Sequence, residues 1–133
     1  MNITAKTKIL GIFGYPIKHT ISPAMHNAVI KALGLDMIYL PFAIKPSNLK
    51  DAVNGINGLG ILGVNVTIPH KEAVMKLLDD ISEEARLVGA VNTIVNKDGR
   101  LIGHNTDAYG YIESMKWDCK FNPKDKRIII LGA

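Results

Sequence analysis

The stretch "KILGIFG", Lys8 to Gly14, and the segment that follows it decide the fold. The short apolar run predicts a buried strand. The next segment, "SPAMHNAVIKALG", predicts a helix, with Ser22 as its N-cap, Pro23 at its first position and Gly34 after its end. A strand followed directly by a helix indicates the beginning of an α/β unit.

The rest of the chain continues the alternation of strand and helix patterns. "MIYLPFAI", Met37 to Ile44, predicts a strand that lies at a sheet edge or carries a bulge, because Pro41 cannot donate a ladder hydrogen bond. The further predicted elements are a helix near "SNLKDAVNGI", a strand at "ILGVNVTI", helices in "HKEAVMKLL" and "SEEARLV", a hairpin at "AVNTIVNKDGRLIGHN" that turns at Asp98-Gly99, and a helix from near Thr106 with Ala108, Ile112 and Met115 facing a core. These patterns predict an α/β fold with a mostly parallel sheet flanked by helices.

The last residues, "RIIILGA", predict the beginning of another buried parallel strand, Arg127 to Ala133, with Gly132 opening a tight turn. Such a strand is stable only between neighbouring strands under covering helices. We therefore expect this segment either to be disordered or to pair with the edge of a neighbouring molecule. The preceding segment, "MKWDCKFNPKDKR", is expected to be a solvated linker that Pro123 interrupts.

Length and composition limit the class of protein. The chain has 133 residues, of which 47% are hydrophobic, enough for one globular domain or for one domain and the beginning of another. No apolar run approaches the roughly 20 residues that span a bilayer, and the N-terminal run is too short for a signal peptide and lacks a cleavage site. The one cysteine, Cys119, cannot form an internal disulfide. We therefore expect a soluble, cytoplasmic protein.

The net charge of +4 does not indicate a nucleic-acid partner, because most of the excess lies after residue 115, in the predicted linker and last strand. The sequence has no RNA-binding aromatic signature and no zinc-finger spacing. Its four histidines lack the H-E-x-x-H spacing of a metal site. The prediction is therefore a protein that binds neither nucleic acid nor a membrane and holds no metal ion.

One glycine motif is misleading. "GLGILG", Gly58 to Gly63, satisfies G-x-G-x-x-G, the fingerprint of dinucleotide-binding loops. That loop works only between a strand and a following helix, because the helix N-terminus must point its free amides at the pyrophosphate. Here a predicted helix precedes the glycines and a strand follows them. We interpret the motif as a turn from helix to strand.

Polar side chains cluster after several predicted strands. In open α/β sheets, ligands bind beyond the carboxyl ends of the strands. The polar residues near these ends are Thr20, Ser22, Asn65, Thr67, Lys71, Asn92, Thr93, Asn105, Thr106 and Asp107. Taken singly, each has a plain structural explanation: a helix cap for Ser22 and Thr106, a first-turn acid for Asp107 and a surface charge for Lys71. Together they suit a small ligand with several hydroxyl groups and a carboxylate.

Four ordered segments, "YPIKHTISPAMHN", "NVTIPHK", "GAVNT" and "GHNTDAYG", resemble the substrate-binding half of shikimate dehydrogenases. The resemblance implies an α/β domain that binds shikimate, followed by a Rossmann domain that binds NADP. It also implies the reversible reduction of 3-dehydroshikimate to shikimate, a step toward the aromatic amino acids. On this basis residues 1–106 are the shikimate-binding catalytic domain, 107–126 a connecting helix and linker, and 127–133 the first strand of an incomplete NADP-binding domain. Without that domain, the chain alone is expected to be inactive.

The resemblance also implies roles for individual residues. Lys71 matches the catalytic lysine of the family, and Asp107 matches its partner carboxylate. Thr20 and Ser22 match a hydroxyl pair that holds the substrate carboxylate. Residues that match positions binding the ring hydroxyls are Thr67, Asn92 and Asp107. The residues that match the cofactor site are Glu83, from spacing alone, and Gly132 and Ala133, which begin the incomplete loop.

Several alternatives stay open from the sequence. Thr20 replaces the serine usual in this family, which keeps a quinate/shikimate dehydrogenase as an alternative, and a non-catalytic module that binds a polyhydroxy acid is another. Lys71 is either the proton shuttle or an electrostatic stabiliser of a developing alkoxide. His70, where many relatives have Phe, is interpreted as a packing variant. The expected partner is the small-molecule substrate, and a homodimer is left open.

Overall fold

The computed structural model describes residues 3–131, and its centre is one six-stranded sheet. The strands, in chain order, are β1 Lys8–Gly14, β2 Met37–Ala43, β3 Gly63–Val66, β4 Asp80–Ile81, β5 Thr93–Lys97 and β6 Arg100–His104. The α-helices are α1 Ser22–Ala32, α2 Leu49–Gly58, α3 Glu83–Val88 and α4 Asp107–Trp117, and two 3₁₀ helices cover Pro46–Asn48 and Ala73–Leu77. This confirms the α/β class that the alternating patterns predict.

The sheet is mixed. Its strand order is β2-β1-β3-β5-β6-β4. β1 pairs in parallel with both β2 and β3, and β4 pairs in parallel with β6, whereas β5 is antiparallel to β3 and β6. Parallel pairings therefore predominate by only three to two. β2 lies at a sheet edge, as Pro41 predicts, because its one partner is β1.

Two groups of buried side chains cover the two faces of the sheet. The larger group packs helix α2, the 3₁₀ helix at Ala73–Leu77 and α3 on one face, with Val53, Ile56, Val74 and Ala85 almost fully buried among strand residues. The smaller group packs α1 on the other face, with Ile12, Ile17, Ile30 and Tyr39 at its centre. Burial of such side chains is the main force that holds the helices against the sheet.

The local signals of several elements are confirmed. Asp98 and Gly99 form the hairpin turn with positive φ angles of 53° and 89°. α3 begins after Ser82, whose hydroxyl accepts from the Ala85 amide at 3.3 Å, and ends at Gly89, which has a left-handed φ of 74°. The glycine segment at residues 58–63 connects α2 to β3, as predicted, so a strand and not a helix follows it.

Three expectations about helices are wrong. Ser22 is the first residue of α1, and Ile21 occupies the N-cap position, so the Ser22 side chain is not a helix cap. The segment after Pro69 forms only the 3₁₀ turn at Ala73–Leu77, because the chain must enter β4 three residues later. α4 buries none of its residues, so its apolar positions do not face a core. Helical periodicity identifies an apolar face but not the surface that receives it.

The segment predicted to begin another strand lies at the end of the described residues. Residues 127–131 form no strand, because no neighbouring strand satisfies their backbone groups. The side chains from Ile128 to Leu131 are at least 53% exposed. Gly132 and Ala133, assigned above to an incomplete cofactor loop, lie outside the described residues. No helix within residues 3–131 is long and apolar enough to cross a membrane.

Candidate functional site

A pocket of about 390 Å³ opens where β1 and β3 end. Gly14 ends β1, and a Cβ atom there would lie 2.5 Å from Thr67 Cγ2, so a side chain at Gly14 would displace the threonine. The Tyr15 amide donates to the Ile68 carbonyl at 3.1 Å, which joins the two strand ends. The pocket is lined by Ile12, Tyr15, Pro16, Ile17, His19, Thr20, Ser22, Thr67 and Ile68. Three predicted substrate-binding residues therefore share one cavity.

Thr20 and Ser22 form a hydroxyl pair at the N-terminal end of α1. The Thr20 Oγ1 donates to Ser22 Oγ at 3.2 Å and accepts from the Ser22 backbone amide at 3.3 Å. Both side chains are half-buried. Among the described residues the Ser22 hydroxyl accepts the bond from Thr20 and donates none, so its proton is free to serve a ligand.

Lys71 and Asp107 form an ion pair. Lys71 Nζ lies 2.5 Å from Asp107 Oδ2, and the two side chains are 32% and 53% exposed. The loop after β3 carries Lys71, whose backbone carbonyl accepts from the Val91 amide at 2.8 Å. The pair therefore joins the loop after β3 to the beginning of α4, at a position that solvent and a ligand can reach.

Asn105, and not Thr106, supplies the side chain that caps α4. Its Oδ1 accepts from the amides of Asp107 and Ala108 at 3.0 and 3.3 Å. Its Nδ2 donates to the Ala90 carbonyl at 2.9 Å. Thr106 occupies the N-cap position but makes no capping bond, because its hydroxyl is engaged with Asn92. The prediction that the Thr106 side chain caps this helix is therefore wrong.

Asn92 holds the second oxygen of the Asp107 carboxylate. Its Nδ2 donates to Asp107 Oδ1 at 2.8 Å and to Thr106 Oγ1 at 2.9 Å, while its Oδ1 accepts from the Thr106 amide at 3.0 Å. Only 7% of Asn92 is exposed. Lys71 and Asn92 thus take one carboxylate oxygen each, which fixes the plane of the Asp107 side chain.

The predicted site residues fall into two groups. Thr20, Ser22 and Thr67 line the pocket, whereas Lys71, Asn92 and Asp107 are joined by hydrogen bonds. No direct hydrogen bond among the described residues connects one group to the other. Ile68 lies between them, since it lines both the pocket and the neighbouring surface at Lys71.

His70 is a packing residue, in agreement with the interpretation from sequence. It is 1% exposed, and its Nε2 lies 2.7 Å from the Ile44 carbonyl, to which it donates in the tautomer protonated at that nitrogen. This bond holds the loop after β3 against the end of β2. The ring faces the protein interior and is not available to a ligand.

Tyr39 is a residue that the sequence analysis missed. It is 3% exposed, and its hydroxyl donates to Asn65 Oδ1 at 2.7 Å. Burial raises the pKa of Tyr39 to about 12. An aromatic residue in an apolar strand is ordinarily a core residue, so no local pattern identifies its polar partner.

Glu83 is the residue of the predicted cofactor site that lies within the described residues. Glu83 is an exposed residue in the first turn of α3 and makes no hydrogen bond to the other site residues. The dinucleotide loop requires glycines between a strand and a helix, and the part of the chain that the structure describes contains no such loop. Within that same part, no group of His, Cys, Asp or Glu is arranged to hold a metal ion.

Hydroxyls, an amide and a Lys/Asp pair at the rim of an α/β sheet are typical of domains that bind a small polar ligand. Residues 12–94 match the family model described as shikimate dehydrogenase substrate binding domain. The chain belongs to this family.

Relatives and solved structures agree with this assignment. The chain is 53% identical over its whole length to a protein of Geobacter metallireducens named shikimate dehydrogenase (NADP(+)). A crystal structure of shikimate 5-dehydrogenase from Listeria monocytogenes, in complex with shikimate and NAD, is 44% identical, matches with a TM-score of 0.85 and aligns with 90% of this chain and 41% of that one. A 5-ketofructose reductase of Gluconobacter matches with a TM-score of 0.81 and 42% identity, over 85% of this chain and 41% of that one. The chain spans 46% of the length of the Geobacter relative.

Proposed function

We propose that this chain is the substrate-binding half of an NADP-dependent shikimate dehydrogenase, which reversibly reduces 3-dehydroshikimate to shikimate in the biosynthesis of aromatic amino acids. The observation that carries the proposal is the Lys71–Asp107 pair held by Asn92, beside a pocket that Thr20, Ser22 and Thr67 line. The family match and the names of the relatives support the choice of substrate.

The hydroxyl pair is proposed to bind the substrate carboxylate. Thr20 and Ser22 lie 3.2 Å apart, and both can donate to an anion when their mutual hydrogen bond opens. A hydrogen bond to a charged group contributes about 1.5–3 kcal/mol. Thr67, Asn92 and Asp107 are proposed to bind the ring hydroxyls, because together they offer both donors and acceptors.

Lys71 is proposed to handle the proton of the reaction. Reduction of a ketone adds a hydride to carbon and a proton to oxygen, and oxidation removes both. The Lys71 ammonium can donate the proton to the developing alkoxide, and the neutral amine can accept it in the reverse direction. Asp107 Oδ2 lies 2.5 Å from Lys71 Nζ, where it orients the amine toward the substrate.

NADP is the cofactor named for the Geobacter relative, and it supplies the hydride in the proposed reaction. The described residues do not fit it, since they contain no glycine loop between a strand and a helix. We therefore propose that the chain by itself binds shikimate without catalysing turnover. The cytoplasm is the proposed location, because the free Cys119 is exposed and suits a reducing compartment.

Calorimetric titration of the chain with shikimate tests the binding role. Ser22→Ala should weaken shikimate binding about tenfold, while Ser82→Ala, whose hydroxyl caps α3 outside the site, should not. Heat of binding that is absent in the unaltered chain, or equal in both variants, would refute the proposal. NADPH and 3-dehydroshikimate added to the chain should give no turnover.

A second candidate is a dehydrogenase for a related polyhydroxy compound, such as quinate. Two observations favour it: Thr20 occupies a position where the family usually has serine, and a protein named 5-ketofructose reductase shares the fold at 42% identity. We propose that the additional methyl group of Thr20 narrows one side of the proposed carboxylate site. Parallel titrations with quinate and shikimate decide between the two, because the preferred ligand should bind at least about tenfold more tightly, a difference of about 1.4 kcal/mol.

A further inference from the structure

We propose that Tyr39 and Thr93 are positioning residues, which hold Asn92 and therefore Asp107 in place through a chain of hydrogen bonds that runs along one face of the sheet. This inference rests on the proposed function, because it concerns the same Lys71–Asp107 pair. Tyr39 is not among the polar residues that the sequence patterns indicate, and Thr93 is among them but has no role implied by the family resemblance.

The chain of hydrogen bonds begins at Tyr39 and ends at the carboxylate. Tyr39 Oη donates to Asn65 Oδ1 at 2.7 Å, and Asn65 Nδ2 donates to Thr93 Oγ1 at 3.1 Å. Thr93 Oγ1 donates to Asn92 Oδ1 at 2.9 Å, and Asn92 Nδ2 donates to Asp107 Oδ1 at 2.8 Å. The side chains come from three strands, β2, β3 and β5, and from Asn92, which precedes β5, and the last bond reaches the beginning of α4.

The direction of the hydrogen-bond chain is determined by backbone groups that can only donate or only accept. The Thr106 backbone amide donates to Asn92 Oδ1 at 3.0 Å, so the Nδ2 group of Asn92 must face Asp107. The Asn92 backbone carbonyl accepts from Asn65 Nδ2 at 3.4 Å, so Asn65 Oδ1 must face Tyr39. Tyr39 and Thr93 each have one hydroxyl proton. Tyr39 donates its proton to Asn65 Oδ1, and Thr93 donates its proton to Asn92 Oδ1.

Tyr39 is suited to serve as the permanent donor at one end. A phenol keeps its proton at neutral pH, and burial raises the pKa of Tyr39 further, to about 12. Asn27 holds its backbone, since Asn27 Nδ2 donates to the Tyr39 carbonyl and the Tyr39 amide donates to Asn27 Oδ1, both at 2.9 Å. The His26 ring stacks on the Tyr39 ring with centroids 4.3 Å apart.

This arrangement connects the two groups of site residues. His26 and Asn27 belong to α1, which begins at Ser22 of the hydroxyl pair. The helix that presents Ser22 therefore also clamps Tyr39, whose hydrogen bonds lead to Asn92 and Asp107. This network is partly buried, and the described residues include no buried side-chain polar atom without a partner, so the network is expected to be rigid.

The test compares variants of the chain by NMR and by titration with shikimate. Tyr39→Phe removes the donor at one end, and Thr93→Val removes the central hydroxyl while keeping the shape. Thr93→Ser keeps the hydroxyl, and Tyr111→Phe, at an exposed tyrosine, is the control for loss of a phenol. The side-chain amide signal of Asn92 is identified by its disappearance in Asn92→Asp.

We expect Tyr39→Phe and Thr93→Val to shift the Asn92 amide signals and to weaken shikimate binding about three- to tenfold, as the loss of one hydrogen bond implies. Thr93→Ser and Tyr111→Phe should match the unaltered chain. Thermal unfolding of each variant separates loss of position from loss of fold, and the Thr93→Ser result stands even where Thr93→Val fails to fold.

Unchanged Asn92 amide signals in folded Tyr39→Phe, or Thr93→Ser signals as displaced as those of Thr93→Val, would overturn the inference. If the unaltered chain does not bind shikimate, the proposed function fails. The Asn92 amide signals still show by themselves whether Tyr39 and Thr93 position Asn92. The two failures are therefore distinguishable.

Discussion

Lys71 Nζ lies 2.5 Å from Asp107 Oδ2, although the two residues are 36 positions apart in the chain. The contact depends on the loop after β3 and on the cap of α4, which bring a cation and a carboxylate to the same edge of the sheet. Asn92 holds the other carboxylate oxygen at 2.8 Å. A pair with this support is positioned before a ligand binds, which is the property that acid/base chemistry requires.

Lys71→Met should reduce kcat by about 10²- to 10⁴-fold in a full-length shikimate dehydrogenase that carries this chain, because it removes the proton donor. Its effect on KM should be smaller. Steady-state kinetics with NADPH and 3-dehydroshikimate measures both, and Lys76→Met is the control. A near-normal kcat in Lys71→Met would remove the proton-transfer role.

Asp107→Asn should impair both kcat and KM in the same enzyme. The amide keeps the shape of the side chain but cannot attract the Lys71 ammonium, and its NH₂ group would face the donor of Asn92 or of Lys71. Kinetics and shikimate titration together measure the two losses. Normal affinity with reduced kcat would limit Asp107 to the orientation of Lys71.

Ser22→Ala should raise KM about tenfold, or about 1.4 kcal/mol, with little change in kcat, because a hydroxyl on a remote carboxylate contacts ground state and transition state alike. Since Ser22 makes no capping bond, the stability of the chain should hardly change.

Ser82→Ala is the matched comparison for stability. Ser82 Oγ accepts from the Ala85 amide, so its loss should cost about 1 kcal/mol of unfolding free energy and leave shikimate binding intact. Denaturant unfolding and calorimetry of both variants measure the contrast. A larger stability loss in Ser22→Ala than in Ser82→Ala would contradict the assignment of the two serines.

Asp80 should contribute stability that disappears in acid. The Ile81 amide, which donates to its carboxylate at 2.8 Å, and then the cations of Arg100 and Arg86 lower the pKa of Asp80. A group with a lowered folded-state pKa stabilises above its unfolded pKa of about 3.9 and loses that contribution as pH falls through the folded value.

Thermal unfolding from about pH 6 down to about pH 3 measures this effect, because the range brackets the unfolded pKa. Asp80→Asn should lower the melting temperature at the upper end of that range and show a smaller further loss in acid. Asp125→Asn, in the exposed linker, is the control. Equal acid sensitivity in the unaltered chain and Asp80→Asn would show that other groups account for it.

The exposed apolar segment at residues 128–131 should promote association between copies of the chain. Ile129 and Leu131 are 87% and 89% exposed, and their backbone has no strand partner. Light scattering should show a mass that rises with concentration, and Ile129→Lys with Leu131→Lys should abolish the rise. A monomer at every concentration in the unaltered chain would refute this prediction.

The agreement between sequence and structure is best where the determinants are local. Asp98-Gly99 tolerates the positive φ angles of a tight hairpin, and Gly89 tolerates the left-handed end of α3, so both turns are predictable from a few adjacent residues. The strand β4 shows the opposite case. It has only two residues, Asp80–Ile81, and it exists because β6 lies beside it, so its own sequence does not predict it.

The candidate site follows the same division. The sequence by itself determined which segments alternate, where they turn, and that the segments with Thr20, Ser22, Thr67, Lys71, Asn92 and Asp107 follow the pattern of one family. Only the tertiary structure decided which atoms meet: Asn92 on one oxygen of Asp107 and Lys71 on the other, Asn105 as the cap of α4, and Tyr39 as the end of a hydrogen-bond chain. Such partners are distant in the chain, and sheet order and register bring them within hydrogen-bond range, which no local propensity encodes.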